Sequence, residues 1–170
     1  MYCPTCGHVN KPGSDACGNC MLPLVHLDEP AMHDRVERSL MTEPVAILAP
    51  REPVTVGVED HLGEAVRRMI DRGVGAVLVT ASDGELVGIL TERDFLTKVA
   101  GQSGFADLPV REFMTPDPEI VSPSDSLAFA LGKMDAGGYR HLPVVTGGKP
   151  VGVVSVRDIL RHVTRICQSG

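Results

Sequence analysis

Hydrophobic and polar positions along the chain change period several times, and from residue 54 onward the series of changes runs twice. Leu62, Ala65, Val66, Met69 and Ile70 share one helix face, behind Asp60 as an expected N-cap and ahead of Gly73 as a stop. The apolar run from Ala76 to Ala81 predicts a buried strand. Ser82-Asp83-Gly84-Glu85 predicts a turn, Leu86 to Leu90 a second strand, and Glu92 to about Ala100 another helix. The second pass predicts a helix from about Ser126, strands near His141 to Thr146 and Val151 to Val154, and a helix from about Val156. Gly147-Gly148 supplies its hairpin turn.

The passes also match residue by residue. Thr55-Val56-Gly57-Val58-Glu59-Asp60-His61-Leu62 lies over Ile120-Val121-Ser122-Pro123-Ser124-Asp125-Ser126-Leu127. Ala65 then meets Ala130, Met69 meets Met134, Gly73 meets Gly138 and Val79 meets Val144. After one residue is lost in a turn, Val87-Gly88 meets Val151-Gly152, and Arg93-Asp94 meets Arg157-Asp158. A self-similarity of about 65 residues exceeds the usual solenoid unit and indicates duplicated half-domains. Each copy follows a Met-Thr pair: Met41-Thr42 with Pro44 close behind, and Met114-Thr115 with Pro116 and Pro118.

These features resemble the CBS domain family, through the β-α-β-β-α order, the Met-Thr lead-in and the Gly-x-x-Thr/Ser-x-x-Asp that closes each last strand. The resemblance covers about residues 35 to 166, and its doubling makes it specific. It implies an α+β fold in which repeat 1 (35–104) and repeat 2 (105–170) pack through their sheets as a pseudo-two-fold pair with clefts between them. One departure is visible: the first copy carries about eight extra residues between Thr42 and Val54.

Ahead of the repeats, four of the five cysteines form Cys3-x-x-Cys6 and Cys17-x-x-Cys20. Two residues between thiols let a tight turn aim both sulfurs at one ion, and two such turns complete a tetrahedral zinc site. Gly7 and Gly18 are expected to relieve crowding at the turns. The competing readings are two disulfides, inert thiols or a redox pair; no βαβ pattern surrounds the cysteines to support the last. Four thiolates leave no place for water, so the expected role is structural. Metal binding then supplies on the order of 10 kcal/mol to a segment too short to fold alone. Residues 1–24 resemble a zinc ribbon, and 25–34 read as a linker. His8 and His26 are surplus to the four thiolates and are expected at the surface. Cys167 is expected to act as a small hydrophobe against the core.

Gly88-Ile89-Leu90-Thr91-Glu92-Arg93-Asp94 and Gly152-Val153-Val154-Ser155-Val156-Arg157-Asp158 each set a hydroxyl and a carboxylate three apart where a strand passes into a helix. On a first helical turn these lie on one face. The hydroxyl and the free amides can meet a phosphate, and the carboxylate can accept from ribose hydroxyls. The plainer reading makes Thr91 and Ser155 helix caps, with Asp94 and Asp158 complementing the helix dipole. Within the family resemblance, ligand binding is favoured. It implies one cleft using Thr91 and Asp94 with Ser122, Ala128, Tyr139, Arg140 and His141, and another using Ser155 and Asp158 with Gly57, Val74, Gly75 and Ala76. The first set carries more polar groups, so that cleft is expected to bind more tightly, with Arg140 on a phosphate.

Composition narrows the partners. Hydrophobic residues make up 43% and aromatics 4%, so the expected core is aliphatic. The formal net charge of -6 opposes non-specific binding to nucleic acid or an anionic membrane. No stretch reaches the apolar length of a membrane span. Met1-Tyr2-Cys3-Pro4 opens no basic-then-apolar segment, so no signal peptide and a cytoplasmic location are expected. Between Met1 and Leu24 the only basic residue is Lys11 and the only aromatic Tyr2, a poor surface for nucleic acid. No catalytic constellation stands out. An enzyme is therefore not expected, and the family resemblance implies a regulatory module sensing AMP, ADP, ATP or S-adenosylmethionine. A homodimer and a protein contact through the zinc ribbon are expected with it. The alternatives are an interaction module with vestigial clefts, or a nucleic-acid-associated zinc ribbon.

Overall fold

The computed structural model describes residues 2–3, 5–11, 14–24 and 34–168. The chain divides into two compact units, Met1–Asp34 and Arg35–Gly170. The expected linker, apart from Asp34, and His26 lie outside the described residues.

The first unit is two knuckles of similar build. In one, the Cys3 amide donates to His8 O (2.9 Å) and the Gly7 amide to Cys3 O (2.9 Å). In the other, the Cys17 amide donates to Leu22 O (2.8 Å) and the Met21 amide to Cys17 O (3.0 Å). The antiparallel bridges Tyr2↔Val9 and Ala16↔Pro23 flank them, and Cys3, Cys17 and Leu24 form a small core. Gly7 takes the left-handed turn of the first knuckle (φ 70°). The second uses Met21 (φ 60°), not Gly18, so an L-residue there occupies a conformation that favours glycine. Gly18 instead donates its amide to Asn10 Oδ1 at 2.9 Å.

The second unit is α+β, as the pattern predicts. Helix α1 (Arg35–Thr42) and a 3-10 turn (Val45–Leu48) lead into β1 (Thr55–Gly57), α2 (Leu62–Arg72), β2 (Ala76–Thr80), β3 (Leu86–Thr91) and α3 (Glu92–Asp94). α3 continues as one π-helical turn, Phe95–Val99, where a longer regular helix was expected. Two 3-10 turns, Phe105–Asp107 and Val110–Glu112, precede β4 (Thr115–Pro116), α4 (Leu127–Gly137), β5 (His141–Thr146), β6 (Lys149–Ser155) and α5 (Val156–Gln168). Strands β1-β2-β3-β4 form one sheet and β5-β6 another. The parallel bridge Val121↔Val144 repeats the β1–β2 pairing in the second copy.

Asp60 does not cap α2. His61 holds that position, while Asp60 Oδ2 accepts the Gly57 amide at 2.8 Å. Asp125 accepts the Ser122 amide at the same distance, so each carboxylate closes the turn between strand and helix. Gly73 and Gly138 end α2 and α4 in the left-handed region, as positions without a Cβ can. Cys167 is exposed, because α5 runs a turn beyond Val163, the last of its residues in the core cluster.

Each copy's lead-in packs on the other copy. Val45 is fully buried with Val121, Leu142, Val144 and Val154 of the second copy, while Val110 and Phe113 join Val56, Leu62, Val77 and Leu90 of the first. Likewise β4 pairs with β3, and Arg51 bridges to Val153 of β6. The glycine opening each Gly-x-x-Thr/Ser-x-x-Asp lies beneath such a crossing. A Cβ on Gly88 would collide with Met114 Sδ, and one on Gly152 would sit 2.6 Å from Pro50 Cβ. A further tie joins α1 to α5, where His162 Nε2 lies 2.7 Å from Glu43 Oε2 and 2.8 Å from the buried Ser39 hydroxyl.

Candidate functional site

Both strand-to-helix junctions fold as the hydroxyl-carboxylate spacing dictates. Thr91 Oγ1 donates to Asp94 Oδ2 at 2.7 Å, and the Thr91 amide donates to the same oxygen at 2.9 Å. Ser155 Oγ and its amide reach Asp158 Oδ2 at 2.6 and 2.9 Å. The helix-cap reading is therefore correct at both. Each carboxylate nevertheless faces a cavity between the copies, so capping and ligand contact are compatible through the second carboxylate oxygen.

The second oxygens differ. Asp94 Oδ1 is 2.7 Å from Lys98 Nζ and accepts from Thr115 Oγ1 at 3.3 Å, and Asp94 is buried (7% exposed). Burial works against its charge, but Lys98 and the Thr91 hydroxyl and amide outweigh it and hold the carboxyl below the usual range. Among the described residues, Asp158 Oδ1 is met by Arg161 alone, at 3.4 Å, and its side chain is 25% exposed. Asp158 keeps acceptor capacity for an incoming hydroxyl; Asp94 keeps almost none.

The Thr91 cleft, about 270 Å³, is lined by Thr91, Asp94, Tyr139, Arg140 and His141, with Glu92, Asp117 and Glu119 and, among them, Arg93. The Ser155 cleft, about 130 Å³, gathers Ser155, Asp158, Val74, Gly75 and Ala76 with Arg51, Arg157 and Arg161, and with Glu52 beside Arg51. Ser122, Ala128 and Gly57 do not line either cleft. Ser122 and Gly57 bind the turn carboxylates described above, and Ala128 is half-buried on α4. Gly75 and His141 touch both clefts. Burial and then the neighbouring Arg140 lower the His141 pKa, against the pull of Glu92 and Asp158, so the ring is neutral at neutral pH.

The expectation of tighter binding in the Thr91 cleft rests on polar count. By charge, that lining sets Arg93 and Arg140 against Glu92, Asp94, Asp117 and Glu119, and the Ser155 lining sets Arg51, Arg157 and Arg161 against Glu52 and Asp158. Arg51, Arg157 and Arg161 went unnoticed in the sequence as cleft residues. Arg157 carried a signal, standing beside Asp158 in the repeated motif. Arg51 carried none, since it lies in the extra segment and the residue that takes its place in the other copy, Thr115, is uncharged.

A third cavity, about 1390 Å³, is a wide groove bordered by α2, the π-helical turn and α5, with Ile70, Leu96 and Leu160 on its walls. These three side chains are 73, 74 and 59% exposed, large apolar groups facing water.

In the first unit the four cysteine sulfurs all lie within 4.8 Å of one another, and none forms a disulfide. Cys3 and Cys20 are 3.5 Å apart, Cys6 and Cys17 3.6 Å. Tetrahedral zinc with Zn–S of about 2.3 Å spaces its sulfurs by about 3.8 Å, so the residues fit such an ion. The Asn19 amide and Asn10 Nδ2 donate to Cys17 Sγ at 3.4 and 3.7 Å. The Cys20 and Asn19 amides, with Asn10, lower the Cys17 thiol to about 6 against desolvation. The Leu22 amide favours a Cys20 thiolate, yet desolvation and the Cys3, Cys6 and Cys17 thiols push it up to about 12. Four thiolates this close repel one another unless a cation sits among them. His8 is exposed, apart from the four-sulfur cluster.

The family model described as "CBS domain" matches residues 36–101 and 110–165. A CBS domain-containing protein of Arabidopsis thaliana is 44% identical over 109 residues, which span 63% of this chain and only 20% of that relative. An uncharacterised 17.7 kDa protein of Acidianus ambivalens is 33% identical over 122 residues, 71% of this chain and 73% of its own. Among solved structures, a CBS domain protein of Pyrobaculum aerophilum complexed with AMP is 29% identical. It superposes with a TM-score of 0.64 over 72% of this chain and 98% of its own.

Proposed function

Because the chain belongs to the CBS domain family, we propose that it is a regulatory module sensing an adenine nucleotide or a related adenosyl compound in the clefts between its two repeats. The observation that carries the reading is the pair of hydroxyl-carboxylate caps, each set at a cavity walled by both copies. The AMP in the similar Pyrobaculum aerophilum protein supports it. The ligand candidates are AMP, ADP, ATP and S-adenosylmethionine.

The Ser155 cleft is the stronger site in this reading. Asp158 Oδ1 takes the ribose hydroxyls, Ser155 and the first amides of α5 approach a phosphate, and Val74 and Ala76 line the apolar side. The Thr91 cleft, with its carboxylate engaged and its wall acidic, is the weaker. Because each cleft draws on both copies, an occupant favours one relative packing of the copies over another, and that shift is the regulatory signal. Nothing in the arrangement calls for catalysis.

The cysteine cluster takes a structural Zn²⁺ through Cys3, Cys6, Cys17 and Cys20, and its unit offers a surface for a protein partner. Two copies of the chain meet across the apolar groove holding Ile70, Leu96 and Leu160. No helix among the described residues is long and apolar enough to cross a membrane.

Native mass spectrometry of the protein reads bound zinc, bound nucleotide and subunit count together. A thermal-shift series with the four adenosyl compounds then decides the ligand, since one at 100 times its Kd adds about 2.7 kcal/mol. The absence of a shift with all four overturns the sensing function.

A further inference from the structure

A cavity of about 150 Å³ adjoins the Ser155 cleft and shares Arg51, Val153, Asp158 and Arg161 with it. Its remaining walls are the segment from Ile47 to Pro50 on one side and His162 and Arg165 of α5 on the other. Three guanidinium groups thus surround a space with one carboxylate, Asp158, which meets Ser155 through one oxygen and Arg161 at 3.4 Å through the other, while His162 is engaged by Glu43 and Ser39. Such a lining suits an anion bearing several oxygens, because guanidinium donors match phosphate geometry.

The molecule holds its own control. Arg157-Asp158 of the second copy lies over Arg93-Asp94, so Arg161, His162 and Arg165 lie over Thr97, Lys98 and Gly101. Arg51, paired with Val153, occupies the place that Thr115, paired with Ile89, takes in the first copy. The equivalent corner of the Thr91 cleft has Lys98 and, at the position matching Ile47, Arg111. The ammonium is committed to Asp94 at 2.7 Å and to Phe113 O at 2.9 Å, and Arg111 is paired with Glu59. A requirement of the repeat fold would have marked both copies. The basic corner belongs to one copy and to the extra segment.

That segment is also held firmly. The Val45 amide donates to Asp125 O at 2.7 Å, the Ala46 amide to Pro123 O at 3.0 Å, and the Val153 amide to Arg51 O at 3.3 Å. Ala49 turns the chain in the left-handed region (φ 47°), and Pro50 lies over Gly152. On the other wall, the contacts of His162 with Ser39 and Glu43 tie α5 to α1. The backbone that presents Arg51 is therefore set before any ligand arrives, which lowers the ordering cost of binding.

We propose that this cavity is a phosphate subsite continuing the Ser155 cleft, so that the cleft selects nucleoside di- and triphosphates over monophosphates. The nucleoside and first phosphate occupy the cleft, and the outer phosphates enter among Arg51, Arg161 and Arg165. This rests on the nucleotide reading above and names the ligand class within it.

Calorimetric titration of the full chain with AMP, ADP and ATP tests the selection. ATP is expected to bind about tenfold or more tightly than AMP, with ADP between them. Arg165 lines the outer cavity and not the cleft, so Arg165→Gln should weaken ATP by about fivefold and AMP by much less. Arg51→Gln, which keeps the backbone bond to Val153, should weaken ATP more strongly still. Equal or tighter binding of AMP in the unmodified protein overturns the proposal, as does an equal loss for AMP and ATP in Arg165→Gln. Inorganic tripolyphosphate separates this idea from the one beneath it. Should no nucleotide bind, while tripolyphosphate still raises the melting temperature in an Arg51-dependent way, the nucleotide reading fails and the anion subsite stands. No tripolyphosphate shift in that case removes both.

Discussion

At the Thr91 cleft a buried carboxylate is held by an ammonium, a second hydroxyl and its own cap, and the wall beyond it carries Glu92, Asp117 and Glu119. At the Ser155 cleft the matching carboxylate is partly open, and its surroundings carry Arg51, Arg157 and Arg161. The backbone device is the same at both, because duplication copied the residues that cap each helix. The electrostatics are opposite, because the lead-ins and the outer faces of the last helices diverged. The repeated motif builds the same cap in both clefts and places Arg93 and Arg157 alike. Residues that differ between the copies, Arg51 and Arg161 against Thr115 and Thr97, set the contrast in charge.

The largest expected effect concerns the crossings above the two sockets. Gly152→Ala should destabilise the unit by about 3 kcal/mol, since the new methyl meets a proline ring that cannot swing aside. Gly88→Ala meets the flexible Met114 thioether and should cost about 1 kcal/mol. Urea unfolding of the two variants compares them directly, and equal midpoints would deny that the crossings differ.

Next come the carboxylates. Asp94→Asn should cost about 2 kcal/mol and Asp158→Asn about 1 kcal/mol in the same assay, the more buried and more fully bonded group losing more. Asp94 is held below the usual carboxylate range, so its stabilisation is present above the ordinary aspartate pKa and is lost as pH falls through the lowered one. Asp94→Asn should flatten that part of the acid limb. In binding the order reverses: Asp158→Asn should weaken nucleotide by about tenfold and Asp94→Asn by about twofold.

A subtler change separates the clefts without touching either carboxylate. A methyl on Gly137 collides with the Tyr139 ring, which lines only the Thr91 cleft. Gly137→Ala should therefore weaken that cleft by about threefold and leave the Ser155 cleft within error, as read by calorimetry fitted to two sites. The smallest effect belongs to His141, shared by both. Its pKa is lowered in the folded chain, so the unfolded chain takes up the proton first as pH falls through the ordinary histidine range, and stability declines with it. His141→Gln should remove that slope from melting temperatures measured between neutral and mildly acidic pH.

Much of this was legible along the chain. The two-residue spacing of Cys3-Cys6 and Cys17-Cys20 sufficed to anticipate a four-sulfur cluster, since so short a loop can only turn back on itself. Helical periodicity placed α2, α4 and α5, and Gly147-Gly148 with φ of 56° and 78° makes the hairpin its residues predict. Local rules erred where a side chain had a better partner in the tertiary fold, as Asp60 did with the Gly57 amide. Ser122, Ala128 and Gly57 were carried onto the clefts by family resemblance, yet they line neither here.

What the sequence by itself determined is whatever depends on neighbours within a few residues: the helix faces, the caps at Thr91 and Ser155, the cysteine knuckles and the doubling of the motif. Tertiary structure alone decided that Arg51 stands beside Arg161 and Arg165, that Lys98 closes off Asp94, and that each lead-in crosses the other copy above a glycine. These contacts join residues brought together by the packing of one copy on the other. Their energies act across space and leave no periodic trace in the order of the residues.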